Sequence, residues 1–314
     1  MSLDAGFRLA MTGTPVQNHL GEVWNLFHFI NPGLLGTMQQ FSDRFVKTAA
    51  QGSKRLKKLV APFILRRTKN NVLEELPPKT EIVTQVELSD EERIFYEAIR
   101  RQAIENLQNA TGPAGQQHVR ALAEITRLRL ACCNPALVEP DVKIPSSKLS
   151  TFMDIVDELR SNNHRALVFS QFVKHLTIIR QVLDEKKIRY KYLDGATTLP
   201  ERERNVREFQ SGDGELFLIS LKAGGLGINL TAADYVIHLD PWWNPAIEDQ
   251  ASDRAHRIGQ KRPITIYRLV SQHTIEEKII QLHHTKRDIA DSLLEGADAP
   301  AKLSTEELLK LIME

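Results

Sequence analysis

Between Asp249 and Gln260 the chain reads DQASDRAHRIGQ. Arg254 and Arg257 stand three apart, with Gln250 about a turn before them and Gln260 about a turn after, so a helix here would present both guanidinium groups on one face. A planar guanidinium grips phosphate oxygens through parallel N–H donors. In phosphoryl transfer, an arginine supplied to the developing charge is worth about 4–7 kcal/mol. The competing reading is a solvent-facing helix whose arginines pair with Glu248, Asp249 or Asp253. Spacing alone leaves the two readings level.

Further polar residues stand where apolar runs end. Ser170 and Gln171 follow ALVF, Ser220 follows LFLI, and Asp240 follows YVIHL. Strand ends of this kind share one rim of a parallel sheet, where ligands bind. The segment AGGLGINL follows the second run; its glycines permit close backbone approach to a ligand or to phosphates, or else make a sharp turn. The spacing is not that of a dinucleotide fingerprint. No GK[ST] loop occurs, since Gly52-Ser53-Lys54 and Gly259-Gln260-Lys261 have the wrong order. Nor does an Asp-Glu pair stand at a strand end ahead of TGTP. His256 reads as a packing or hydrogen-bonding residue, because phosphoryl transfer gives it little proton work. His283 and His284 read as surface residues without metal partners.

The elements that must position these groups alternate. Five apolar runs, at 166–170, 188–195, 216–220, 235–240 and 264–269, are separated by amphipathic helical segments. Continuous apolar strands between helices predict a parallel sheet covered on both faces. Near the start, a β-type run from Phe7 to Met11 leads into Thr12-Gly13-Thr14-Pro15 and a helix from Leu20 to Ile30, with Met11 and Trp24 expected in the core. Residues 44–79 carry ten lysines and arginines against Glu74 and Glu75, which suits either a phosphate-tracking surface or a solvated helix face. Pro77-Pro78 break the chain. Helices over 89–107 and 119–130 read as an insertion, 296–302 as a linker, and STEELLKLIME as a capped helix.

Composition bounds the rest. The chain has 314 residues, 42% hydrophobic and 26% charged, with a formal net charge of +1, so any nucleic-acid contact must rest on local basic clusters. Cys132 and Cys133 are adjacent and make neither a zinc-ligand spacing nor a disulfide framework, which predicts ordinary thiols and no metal site. No apolar run reaches membrane-spanning length and no signal peptide is visible, giving the expectation of a cytoplasmic protein.

In order along the chain, MTGTPVQN, PFILRRTK, RALVFSQF, LISLKAGGLGINLTAADYVIHLDPWWNP and DQASDRAHRIGQ resemble the successive motifs of SNF2-family (SWI2/SNF2-like) DNA-dependent ATPases of helicase superfamily 2. The resemblance spans about residues 5–285. It implies an α/β fold: a RecA-like parallel sheet with helices on both faces, a helical insertion, and a truncated remnant of a first RecA-like lobe. The corresponding domains are 1–80 (remnant), 81–145 (insertion), 146–290 (second lobe) and 291–314 (linker and terminal helix).

Roles follow by resemblance. Arg257 matches the arginine finger, Arg254 its partner at the γ-phosphate, and Gln250 a third motif residue facing the nucleotide. Gly225, Gly227 and Asn229 would line the crevice, with Asp240 in the same extension. Thr12 and Thr14 would couple hydrolysis to lobe movement beside Gln17 and Asn18. Ser170, Gln171 and Lys222 are candidate phosphate contacts to the tracked strand; Trp243, with Trp242, would stack on bases or form a packed ridge. The implied cofactors are ATP and Mg²⁺, and the implied partner is double-stranded DNA held by its backbone, with a DNA-bound protein as a further target. The missing GK[ST] loop predicts a fragment, inactive alone, of an ATP-driven DNA translocase, placed at a nucleoid or in a nucleus. Two alternatives stand: a non-catalytic nucleic-acid-binding scaffold, and an RNA-directed helicase of the same superfamily.

Overall fold

A computed structural model of the protein describes residues 5–12, 21–47, 49–65, 76–109, 113–223, 227–283 and 305–313. The chain divides into two compact units: Met1–Glu74 with Asn244–Ala246 and Leu282–Leu303, and Glu75–Trp243 with Ile247–Gln281 and Ser304–Glu314.

The regular structure described in the first unit is helical. It comprises α1 (Gly21–Ile30), α2 (Met38–Phe41) running into a π turn (Ser42–Val46), and α3 (Ala49–Val60) ending in a 3-10 turn (Ala61–Phe63). Val23 and Phe27, one helical turn apart on α1, pack with Leu35, Phe41, Phe45, Leu56 and Val60. Thr37 and Gln40 close a reciprocal capping box that starts α2. Half-buried Trp24 packs against this cluster, its indole Nε1–H donating 3.0 Å to the carbonyl of Gly36. The strand expected from Phe7 to Met11 does not form; these residues have no ladder partner among the described residues, and Met11, expected in the core, is 90% exposed. Within the basic stretch, Arg44, Lys47, Arg55 and Lys58 are exposed, with Lys47 paired to Asp43 at 2.7 Å.

The second unit is built on a six-stranded sheet, all parallel. Its spatial order is β1 (Lys79–Val86), β6 (Ile264–Ser271), β5 (Tyr235–His238), β2 (Ala166–Ser170), β4 (Leu216–Ser220) and β3 (Tyr190–Leu193). Its helices are α4 (Asp90–Gln108), α5 (Ala114–Cys133), α6 (Ser147–Ser161), α7 (Val173–Glu185), α8 (Leu199–Gln210), α9 (Pro245–Ser252), α10 (275–283) and α11 (Thr305–Met313). Alternate strand residues face opposite sides. Val168, Leu218 and Ile237 pack with Phe152 and Val156 of α6 and Leu176, Ile179 and Leu183 of α7. Leu167, Phe217 and Val236 pack with Phe209 of α8 and Ala251 of α9. The sheet is thus covered on both faces, as a run of apolar strands demands.

The sixth strand is the departure from the sequence reading. Lys79–Val86 straddles the expected boundary between remnant and insertion, yet pairs along its length with β6, from Lys79↔Ile264 to Val86↔Ser271. As an edge strand it buries only Val86, so its apolar signal is weak. Pro77 and Pro78 stand just before it, where a missing N–H does no harm, and the Pro78 carbonyl already accepts from Ile264 N at 3.0 Å.

Two helices of the expected insertion, α4 and α5, pack together, and α11 docks onto them. Arg100 donates to the carbonyls of Ile312 (2.8 Å) and Met313 (2.6 Å), and Lys278 to that of Leu311 (3.0 Å), so cations satisfy the open C-terminal end of α11. His283, expected on the surface, is buried at 3% exposure, one turn after buried Ile279. His284 lies outside the described residues. Among the described residues no helix is long and apolar enough to cross a membrane.

Two ion pairs tie the second unit together, and each has a measurable consequence. Lys148 of α6 and Glu276 of α10 meet at 2.7 Å with no solvent exposure, and Glu276 also accepts from Ser271 N at 2.9 Å. Replacing Lys148 by Met strands a buried carboxylate and is expected to cost about 3–5 kcal/mol in urea unfolding, most of it recovered when Glu276 also becomes Met. Glu81 of β1 meets Arg268 of β6 at 2.6 Å and Lys79 at 2.7 Å. Burial pushes the Glu81 carboxyl up, but the Lys79 and Arg268 cations outweigh it and hold the group at about 2 against an ordinary 4.5. A carboxylate held below its unfolded pKa stabilises the fold fully above the ordinary value and loses that contribution as pH falls from 4.5 toward about 2. Urea midpoints across that pH range should fall less steeply in Glu81→Gln than in the parent.

Candidate functional site

The helix α7 that follows β2 covers one face of the sheet, while α9, following β5, covers the other. β2 and β5 are neighbours, so their carboxyl ends flank a topological switch point, the usual ligand crevice of such sheets.

This rim is closed by a buried carboxylate. Asp240 is 2% exposed; its Oδ2 accepts from Ser170 Oγ and its Oδ1 from Gln171 N at 3.2 Å. Ser170 Oγ in turn accepts from Phe172 N at 3.0 Å. Burial pushes the Asp240 carboxyl up, opposed by Arg129 at 3.8 Å and by these donors. Ser170, at 1% exposed, and Asp240 therefore do not face a ligand as expected; each is buried and used by the other to shape the turn after β2. Gln171 is half-buried, with its backbone bound to Asp240 and its side-chain Oε1 buried without a hydrogen-bond donor.

Arg129 of α5 organises the other side of the rim, and sequence reasoning missed it. It is 2% exposed and donates to the carbonyl of Pro241. Its guanidinium lies 5.2, 5.5 and 5.7 Å from the ring centroids of Phe172, Trp242 and Trp243. Trp242 also packs into the core beneath α9, and both tryptophans are partly buried, which favours the packed-ridge reading of this pair. The available signal was an arginine inside the apolar run of ITRLRLACC, a position that requires a partner.

The motif arginines do not share a helix face. α9 ends at Ser252, and residues 253–259 form a chain of tight turns. Arg254 N bonds to Ala251 O at 3.1 Å, Ala255 N to Ser252 O at 3.1 Å, and Gly259 adopts φ +101°. These turns are stapled from inside. Gln260 is buried and its amide donates to the carbonyls of Thr231, Ala233 and Ala255 at 3.1, 2.8 and 3.1 Å, while its oxygen accepts from Lys261 and Arg262. His256 hydrogen-bonds the Pro77 carbonyl at 2.9 Å, in line with the packing role expected for it. Arg268 holds α9 through Glu248 (2.9 Å) and Asp249 (3.2 Å) while also reaching Glu81 on β1.

The result separates the two arginines. Arg254 is 6% exposed, its carbonyl accepts from Leu230 N at 2.9 Å, and its Nε has no partner; burial and then the Arg257 charge disfavour its ionised form. Arg257 is exposed, with Nη1 donating 3.3 Å to the carbonyl of Gly227. Gln250 is exposed on α9, and Lys222, Gly227 and Asn229 are exposed after β4, where Gly227 has φ +65°. Thr12 is exposed in the first unit. Thr14, Gln17, Asn18 and Gly225 lie outside the described residues. Chemically, the second unit offers a hydrogen-bonded turn that projects one exposed guanidinium beside Gly227, in a segment that also carries exposed Lys222 and Asn229, a set suited to phosphate oxygens.

Comparison with known proteins fits this architecture. The SNF2-related domain model matches residues 1–137, and the Helicase conserved C-terminal domain model matches residues 147–259. The Uncharacterized ATP-dependent helicase MG018 of Mycoplasma genitalium is 39% identical over 98% of this chain and 30% of its own length, so the chain spans under a third of that relative. The Sulfolobus solfataricus SWI2/SNF2 ATPase core in complex with dsDNA is 34% identical with TM-score 0.62, covering 96% of this chain and 66% of that one. The C-terminal domain of the Sulfolobus solfataricus SWI2/SNF2 ATPase is 31% identical with TM-score 0.60, and the match takes in 75% of this chain and 98% of that domain. With a six-stranded parallel sheet, ordered motifs and these relatives in agreement, the chain belongs to the SWI2/SNF2 family of ATPases.

Proposed function

We propose that these 314 residues supply the second motor lobe, and part of the first, of an ATP-driven translocase that moves on double-stranded DNA and remodels proteins bound to it. The observation that carries this reading is Arg257: the turn around it is locked by Gln260, His256 and Arg268, yet its own guanidinium is exposed and lightly held at Gly227. A finger of this kind must be rigid at its base and free at its tip, because it completes the site only when the lobes close.

ATP with Mg²⁺ supplies the phosphoryl group whose transfer to water drives the cycle. Arg257 neutralises charge developing on that group, buried Arg254 adds a second positive charge near it, and the amide of Gln250, exposed on α9, is a neutral donor for the same phosphate. The phosphate-cradling GK[ST] loop is not among the 314 residues, so the chain by itself is proposed to be inactive. Exposed Lys222 and the exposed segment after β4 provide sequence-independent grip on a phosphate backbone, which weakens steeply with salt. The dsDNA-bound structure of the Sulfolobus relative favours a duplex over RNA as the track, and a nucleoid or nuclear setting follows from that track.

The test is ATP hydrolysis with and without duplex DNA on three samples: this chain, a longer natural protein containing it, and that protein with Arg257→Ala. Duplex-stimulated turnover in the longer protein alone, reduced about 10³-fold or more by the substitution, is the expected result. Hydrolysis by the 314 residues alone would overturn the assignment of the main nucleotide grip elsewhere. Undiminished turnover in Arg257→Ala would return that arginine to a surface role, and equal stimulation by RNA would overturn the duplex-DNA track.

A further inference from the structure

Beneath the crevice rim the fold brings together three residues far apart in the chain. Cys133 ends α5, His175 lies in the first turn of α7, and Asp240 follows β5. One donor atom from each, a thiol sulfur, an imidazole nitrogen and a carboxylate oxygen, lies within 4.8 Å of the other two, and all three residues are buried. His175 is 1% exposed and neither of its ring nitrogens has a hydrogen-bond partner. An imidazole buried with both nitrogens unsatisfied is costly, and native interiors seldom tolerate it without a ligand.

We infer that Cys133, His175 and Asp240 form a buried structural site for a thiophilic divalent transition metal, best matched by zinc(II). The donor set of sulfur, nitrogen and oxygen is one that zinc accepts, and coordination at about 2.0–2.3 Å requires the donors to draw together only modestly from their present spacing. Binding displaces the Cys133 thiol proton to solvent, so that the metal meets a thiolate and the Asp240 carboxylate, the latter shared with the Arg129 guanidinium 3.8 Å away. Of the nearby cations, Lys148 is paired with Glu276 at 2.7 Å, while Arg129 donates to the Pro241 carbonyl, lies among three aromatic rings and stands 3.8 Å from Asp240 itself. Ser170 and Gln171 hold the carboxylate in place, as outer-shell donors do around metal-bound Asp. Three protein donors leave the fourth position to water or a small anion. A Cys–His–Asp set also suits a nucleophile, but a thiol with no exposure cannot reach a substrate. The metal would pin α5 and α7 to the end of β5, the point where the rim turns after β2 and β5 meet.

The test uses the untagged 314-residue chain, equilibrated with zinc, desalted and measured by elemental analysis, then titrated with cobalt(II) in parallel. About one retained zinc per chain and a thiolate-to-cobalt charge-transfer band are expected. Cys133→Ser should abolish the band and His175→Gln should weaken retention at least tenfold, while Cys132→Ser keeps both. A parent chain that retains no zinc, a cobalt spectrum without thiolate character, or a band that survives Cys133→Ser would overturn the site. Should either site variant fail to fold by circular dichroism, the parent's cobalt spectrum and its retained zinc decide the matter, together with the fall in Tm on removing the metal with a chelator.

Discussion

A carboxylate placed at the end of a buried strand must find donors inside the protein, and Asp240 finds them on its neighbours. It takes the hydroxyl and backbone of the turn after β2 and lies beside Arg129 from α5. The same Arg129 donates to the Pro241 carbonyl and lies against both tryptophans, so the rim, the tryptophan pair and α5 of the helical insertion meet around that one group. The polar residues at the strand ends are therefore the frame of the crevice more than its lining. The groups left exposed, Lys222, Asn229, Gln250 and Arg257, come from segments that follow the frame.

The motif around Arg257 shows the same division of labour. Of the residues that make DQASDRAHRIGQ conspicuous, Gln260 spends its amide on five backbone groups, His256 reaches the chain before β1, and Arg254 is buried. Rigidity is produced by the many so that a single side chain can be presented. Arg268 extends that rigidity across the sheet, since one guanidinium joins α9 to both β6 and β1.

The sequence made five of the sheet's six strands legible, including the edge strand β3, and left the other edge obscure. β2 and β4 stand at the predicted residues, because strands buried on both faces are written as unbroken apolar runs. β1 was missed since an exposed edge strand with Lys, Thr, Glu and Gln carries no such run, and the prolines before it read as a break. The Phe7–Met11 run had the composition of a strand and none of the pairing partners that would make it one among the described residues. The helix expected to hold both arginines stopped at Ser252, where the hydroxyl turns inward to His238 Nε2 at 2.8 Å and the chain tightens into turns, a tertiary event that periodicity does not record. Cys133, His175 and Asp240 escaped for the opposite reason, since ligand motifs are sought at short spacing and these meet only through the fold.

The placement of β1 bears on how the second unit comes to be folded. Among the described strands it is made first, yet the one it pairs with, β6, is the last to be synthesised, with Lys79 waiting for Ile264. Every other strand pairing lies inside that interval. During synthesis the Lys79–Val86 segment has no ladder to join, and closing so long a loop is the slow, high-contact-order step of assembly. Its largely polar sequence, with Lys79 and Glu81 charged, suits that interval, because an early strand rich in apolar residues would present a sticky edge to other nascent chains.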